Sequence, residues 1–353
     1  MALLSIPNVK VSGVAACVPK RVSENVESTL LSKEELEKYM ATTGIRRKHC
    51  AVPDGSICSS DLCFQSAKQL IEELNWSRED IDLLIFVSQT ADYKLPATSC
   101  ILQDRLGLST NTMAFDISYG CSGFAYGLSV ASSILSTGNL KKALLLVGNT
   151  QSFFASPEDK SMSLLLGDAG TAMALEYFEG AAPMHFSLHV NGAGKDDLIV
   201  PDGGCRNPYN SKSAIMEEFE DGIKRSRLHE KMDGMNVFSF GLKAAPSAFK
   251  ELSDAFGVDE SSVDYLCLHQ ANKFLCEKIR KKLKFPEEKV PYNLDEYGNT
   301  SGASIPLLLG TSMRDELQNN FLSIVGIGFG VGLSWAAAHF HTDHIVVPEI
   351  QYL

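Results

Sequence analysis

The sequence predicts an α/β protein built from one supersecondary unit used twice. Three observations predict it. Short, strongly apolar runs alternate with helical stretches along the whole chain. "EELNWSREDIDLLIFVSQTA" in the first half reads like "KELSDAFGVDESSVDYLCLHQAN" in the second, each a helix end, an acidic turn and an Asp-led strand. Further on, Tyr119-Gly120-Cys121 with Ser122-Gly123 matches Tyr297-Gly298-Asn299 with Ser301-Gly302, and "KKALLLVGN" then pairs with "NFLSIVGIGFG".

The elements follow in order. "SKEELEKYMATTG" opens on a capping box, Ser32 with Glu35, and stops at Gly44. "SSDLCFQSAKQLIEELNW" has helical apolar spacing, with Ser60 as its N-cap. "IDLLIFVSQ" and "ALLLVGN" suit strands buried on both faces. No linker divides the chain, and the polar stretch 192–233 reads as an irregular insertion. The repeat divides the chain into halves 1–178 and 179–353, with Cys121 in the first and His269 and Asn299 in the second.

Composition excludes several classes. The 353 residues are 44% apolar and 21% charged, and no apolar run approaches the roughly 20 residues of a membrane span. The start lacks a basic segment followed by an apolar core, so no signal peptide and a cytoplasmic location are expected. Nine scattered cysteines without zinc-type pairs fit reduced thiols better than a disulfide scaffold. A net charge of −11 argues against nucleic acid as a partner.

The repeat bears on Cys121. Alone, it could be a small buried hydrophobe. Yet Cys121 and Asn299 occupy equivalent places, each after a tight Gly turn and before a helix of small residues. His269 ends another repeated strand, and open α/β sheets gather ligands at the carboxyl ends of their strands. Cys121, His269 and Asn299 are therefore expected to meet in one cleft.

Two further motifs need weighing. "HFHTDH" places His339, His341, Asp343 and His344 at the spacing of metallo-β-lactamase-like hydrolases, although only residues 345–353 follow to supply further ligands. A polar exit from the last strand is the simpler account. "QANKFLCEKIRKKLKF" gives a helix with a buried stripe of Leu275, Ile279 and Leu283, and with Lys273, Lys278, Arg280, Lys281, Lys282 and Lys284. This is either a solvated face or a dock for an acidic partner.

At "TGIRRKH" (43–49), "DISYGCSGFAYGL" (116–128), "LLLGDAGTA" (164–172), "LHQAN" (268–272), "GNTSGASIP" (298–306) and "GFGVGLSW" (328–335), the chain resembles 3-oxoacyl-[acyl-carrier-protein] synthase III of the thiolase-like superfamily. The resemblance implies a five-layered αβαβα fold, a homodimer and a triad of Cys121, His269 and Asn299. It implies decarboxylative Claisen condensation of an acyl thioester with malonyl-acyl-carrier protein, in fatty-acid or related acyl-chain biosynthesis. Cys121 would be acylated, its pKa lowered by a helix N-terminus. Backbone N–H groups of Cys121 and Val331 would form the oxyanion hole, and His269 and Asn299 would hold the enolate. Coenzyme A or phosphopantetheine thioesters are the implied substrates, with no metal or organic cofactor.

The resemblance further implies Asn272, Gly234, Phe329 and Leu95 as substrate or pantetheine contacts, and Lys273, Arg280, Lys281 and Lys282 as the carrier-protein dock. The Trp and Arg common before "TGIR" are missing, with Lys38 and Thr42 in their places, and Leu95 stands where relatives place Phe. These departures imply carrier-bound or longer acyl donors in preference to acetyl-coenzyme A. An acyltransferase of specialised metabolism that forms no C–C bond is the alternative, and Asn299, rather than an Asp that would repel an enolate, tilts toward condensation.

Overall fold

The computed structural model describes residues 2–219 and 222–353. Helix Lys33–Thr43 is capped as its sequence dictates: Ser32 and Glu35 close a reciprocal box, and Gly44 ends it at φ 76°. Helix Ser59–Glu73 starts earlier than expected, because the Asp61 carboxylate accepts from the Cys58 N–H at 2.8 Å and Cys58, not Ser60, is the N-cap.

Two sheets carry the molecule. The six-stranded sheet runs Gln351–Tyr352, Val9–Val18, Ala169–Tyr177, Lys142–Asn149, Leu83–Val87, Met113–Ile117. The five-stranded sheet runs Ala2–Ile6, Met184–Val190, Ser334–Asp343, Phe321–Gly330, Tyr265–Leu268. Leu83–Val87 is buried throughout, as a parallel strand covered on both faces must be.

The repeat is visible in the pairing. Val9–Val18, Ala169–Tyr177, Lys142–Asn149 and Leu83–Val87 pair antiparallel, antiparallel, parallel. Met184–Val190, Ser334–Asp343, Phe321–Gly330 and Tyr265–Leu268 pair in the same sequence. The copies differ in two ways. Met113–Ile117 has no counterpart in the second sheet; instead Asn299 forms a parallel bridge with Leu166 of the first half. Terminal strands are also exchanged: Ala2–Ile6 pairs with Met184–Val190, while Gln351–Tyr352 pairs with Val9–Val18. The proposed halves 1–178 and 179–353 thus meet between the two sheets and are tied together at both ends.

Five layers result. Helices Gly123–Leu135 and Ser304–Gly310 lie between the sheets, Ser59–Glu73 covers the first, and Gly234–Phe256 with Lys273–Leu283 covers the second. Phe124, Leu128, Ile305 and Leu309 of the central helices share one core with Val147, Phe186 and Phe340 of the sheets. Stacking two sheets on shared helices brings the Cys121 turn into one pocket with Asn299, which follows the short helix Leu294–Tyr297 where the repeat led one to expect a strand.

The stretch 192–233 is more ordered than an irregular insertion. Leu198–Ile199 pairs with Lys231–Met232, and Glu217–Glu218 with Lys224–Arg225. Arg227 donates from Nε and Nη2 to the Asp202 carboxylate, which also accepts from the Ser213 hydroxyl at 2.8 Å.

Candidate active site

Cys121 sits in the turn between strand Met113–Ile117 and helix Gly123–Leu135. Strand Phe321–Gly330 passes so close that a Cβ on Gly330 would lie 2.7 Å from the Cys121 sulfur. Glycine there leaves room for the thiol. The Ser301 hydroxyl is 3.9 Å from that sulfur, and the backbone N–H groups of Cys121 and Val331 lie beside it. These N–H groups and the hydroxyl favour thiolate, but burial and the Glu230 charge prevail and push the thiol up to about 11. The direction is thus opposite to the one expected from the helix end. Cys121 precedes the N-cap Ser122, and desolvation outweighs what the helix end offers.

His269 follows strand Tyr265–Leu268, and its N–H donates to the Ile327 carbonyl at 2.8 Å. Its Nδ1 lies 2.7 Å from the Ser304 hydroxyl, and Phe329 packs edge-on at 5.6 Å. Burial pushes the imidazole down to about 4, against a backbone hydrogen bond at Ser301, so the ring is neutral near pH 7. Asn299 is clamped by its backbone, which donates to Leu165 and accepts from Gly167, each at 3.0 Å. Its Oδ1 accepts from the Ser301 N–H at 2.9 Å, which leaves the amide NH2 as the free end.

One pocket is lined by Cys121, Asn299, Ser301 and Val331. His269 stands outside that lining, joined to it through Ser301 and Ser304. Gln89, Gln151 and Glu230 complete the polar wall and also line an adjoining cavity of about 420 Å³. The sequence reading missed these three. Glu230 lies in the supposed insertion, and no local pattern connects it to Gln151 or Cys121.

The outlying assignments divide. Phe329, expected as a pantetheine contact, is 2% exposed and packs edge-on against His269 in the core. Asn272 spends its side-chain oxygen as a helix N-cap, accepting from the Leu275 N–H at 2.8 Å. Gly234 is exposed at a helix start, with open space around its Cβ position. Leu95 is 82% exposed and does not line this chain's Cys121 pocket. On the basic helix, Arg280 is turned inward, doubly bonded to Glu277 and donating to the Phe285 carbonyl at 2.8 Å. Lys273, Lys281 and Lys282 remain exposed.

The histidine motif does not assemble a metal site. His339 faces the Ser323 hydroxyl at 3.0 Å and stacks on His185, whereas His344 pairs with Asp343 at the surface. Among the described residues, no three His, Cys, Asp or Glu side chains are grouped as metal ligands. The His339 and His341 rings lie 4.8 Å apart on one strand, but Asp343 and His344 pair with each other at the surface, so the motif does not converge on one point and the support for a metallohydrolase is removed. Among the described residues, no helix is long and apolar enough to cross a membrane.

Comparison with known proteins agrees with this architecture. Residues 115–192 match the model of 3-oxoacyl-[acyl-carrier-protein] synthase III, and residues 253–342 match that of its C-terminal part. The chain is 34% identical over 328 residues to a beta-ketoacyl-[acyl-carrier-protein] synthase III of Caldanaerobacter subterraneus subsp. tengcongensis, covering 92% of this chain and 95% of the relative. A crystal structure of a 3-oxoacyl-(acyl-carrier protein) synthase from Burkholderia xenovorans superimposes with a TM-score of 0.92 at 38% identity, covering 100% of this chain and 99% of that one. A 3-oxoacyl-(acyl carrier protein) synthase III from Pseudomonas aeruginosa gives 0.83 at 28% identity, with 96% and 99% covered.

Proposed function

Because the chain belongs to the 3-oxoacyl-[acyl-carrier-protein] synthase III family, we propose that Cys121 takes an acyl group from a thioester and that His269 and Asn299 serve its condensation with a malonyl group. The protein is an acyltransferase that joins an acyl thioester to malonyl-acyl-carrier protein in fatty-acid biosynthesis. The observation that carries the assignment of Cys121 is its place in a pocket shared with Asn299, Ser301 and Val331, where Gly330 makes room for the sulfur.

In the first half-reaction, the Cys121 sulfur attacks the thioester carbonyl. The tetrahedral oxyanion accepts from the Cys121 and Val331 N–H groups. A new S–C bond forms, the donor's C–S bond breaks, and the Cys121 proton leaves with the departing pantetheine thiol. In the second, the malonyl carboxylate leaves as carbon dioxide, and its bonding pair becomes an enolate. Neutral donors suit that charge: the Asn299 NH2 and the imidazole Nε2–H, with the Ser304 hydroxyl donating to Nδ1. The enolate carbon attacks the acyl carbonyl, and the Cys121 thiolate departs.

Both substrates arrive as activated thioesters, and decarboxylation supplies the carbon nucleophile, so this route needs neither metal nor organic cofactor. We assign the protein to the cytoplasm, as a homodimer. Incubation with an acyl thioester and malonyl-carrier protein tests the reading. Equal amounts of carbon dioxide and 3-oxoacyl-carrier protein are expected. Acyl transfer without carbon dioxide would identify an enzyme that forms no C–C bond.

Carrier recognition falls to the exposed lysines of helix Lys273–Leu283, the strongest basic cluster on an acidic chain. Lys281→Glu with Lys282→Glu is expected to reduce turnover with malonyl-carrier protein and to flatten its salt dependence. Turnover with malonyl-pantetheine should hold. Unchanged carrier kinetics would reduce this helix to a solvated face.

A further inference from the structure

Gln151 and Glu230 share the polar wall of the Cys121 pocket with Gln89, Asn299 and Ser301, and Met162, Leu165, Leu166, Leu198 and Met232 form its apolar sides. They are 5% and 6% exposed. Both are held firmly. Gln151 opens the single turn Gln151–Phe154 at the end of strand Lys142–Asn149. The N–H and hydroxyl of Ser152 donate to the Asp168 carboxylate at 2.9 and 2.6 Å and fix that turn. The Glu230 N–H donates to the Phe154 carbonyl at 2.7 Å, docking the distant 192–233 stretch on the same turn.

The two side chains satisfy each other only in part. Gln151 Nε2 donates to Glu230 Oε2 at 2.9 Å. Gln151 Oε1 is buried with no partner. Burial pushes the Glu230 carboxyl up to about 7, and the Gln151 amide is the single group acting against it; no cation does. A buried acceptor left without a donor is costly. The Gln151 carbonyl is therefore an acceptor for which the described residues supply no donor.

The geometry points to an acyl group that carries its own hydrogen-bond donor, a hydroxyl or an amine, held by Glu230 and Gln151 while its thioester carbon is joined to Cys121. This inference rests on the acyl-Cys121 reading above. A plain alkyl chain would leave the Gln151 carbonyl unpaired, and an acidic chain would meet the Glu230 charge. Sites built to bond a substrate OH or NH reject analogues lacking it far more strongly than apolar pockets sort by size.

The test is the rate at which Cys121 becomes acylated, read by intact-protein mass spectrometry, with butyryl-, 3-hydroxybutyryl- and 3-aminobutyryl-pantetheine. Pantetheine donors remove carrier-protein contacts from the comparison. One substituted donor is expected to react at least roughly tenfold faster than butyryl; whether hydroxyl or amine leads identifies the donor. Glu230→Leu with Gln151→Leu should invert the order in favour of butyryl. Glu230→Gln, which keeps the shape and an acceptor, should retain a hydroxyl preference and lose an amine preference. Butyryl reacting as fast as or faster than both substituted donors on the unaltered protein would overturn the inference while leaving acyl-Cys121 intact. Absence of any adduct would overturn the acyl-Cys121 reading itself.

Discussion

Replacing His269 or Asn299 by alanine is expected to slow malonyl decarboxylation by about 10²–10³, the cost of one enolate donor or about 2.7–4 kcal/mol of transition-state stabilisation. The size of the effect follows from how the groups are held. Asn299 is clamped by two backbone hydrogen bonds to Leu165 and Gly167, and its Oδ1 is occupied by the Ser301 N–H. Its NH2 is thus aimed before charge develops. His269 is locked by Ser304 and Phe329, and burial keeps the imidazole neutral down to about pH 4. It donates without carrying a charge that must be desolvated. Acylation of Cys121 uses the Cys121 and Val331 N–H groups instead, so both variants should self-acylate at rates much closer to the parent's. Equal loss of the two half-reactions, measured separately by carbon dioxide release and by adduct formation, would show that the roles are wrongly divided.

Cys121→Ala is expected to abolish 3-oxoacyl product outright while malonyl decarboxylation continues. Alanine removes the atom that holds the acyl group but leaves His269 and Asn299 in place on other segments. The alanine methyl also occupies the space beside Gly330 that the Cys121 Cβ already fills, so the fold should be retained. Condensation product from the variant would require an acyl acceptor elsewhere.

The fold was legible because a buried strand announces itself locally. "IDLLIFVSQ" and "ALLLVGN" are apolar at every position that lies between layers, and the doubled Tyr-Gly pattern marked two turns that share a pocket, although a strand precedes Cys121 and helix Leu294–Tyr297 precedes Asn299. The exchange of terminal strands was not legible, since Ala2–Ile6 and Gln351–Tyr352 carry nothing that names their partners. Cys121, Asn299 and His269 were readable from the repeat, yet the Cys121 environment was not. A helix end is visible in the letters, whereas burial and a carboxylate from Glu230 arrive only through the tertiary fold. Arg280 shows the same limit on a smaller scale: helical spacing identifies a cation, but its pairing with Glu277 depends on which way both side chains turn. Gln151 and Glu230 were hidden for a further reason. Each is an unremarkable polar residue in its own segment, and the chemistry lies in their meeting.

The most direct measurement is the intact mass of the protein after exposure to acyl thioesters, followed by peptide mapping. The account predicts one acyl group per chain, located on the peptide that contains Cys121 and absent from Cys121→Ala. An unchanged mass with every donor, or an adduct that persists in Cys121→Ala, would contradict it.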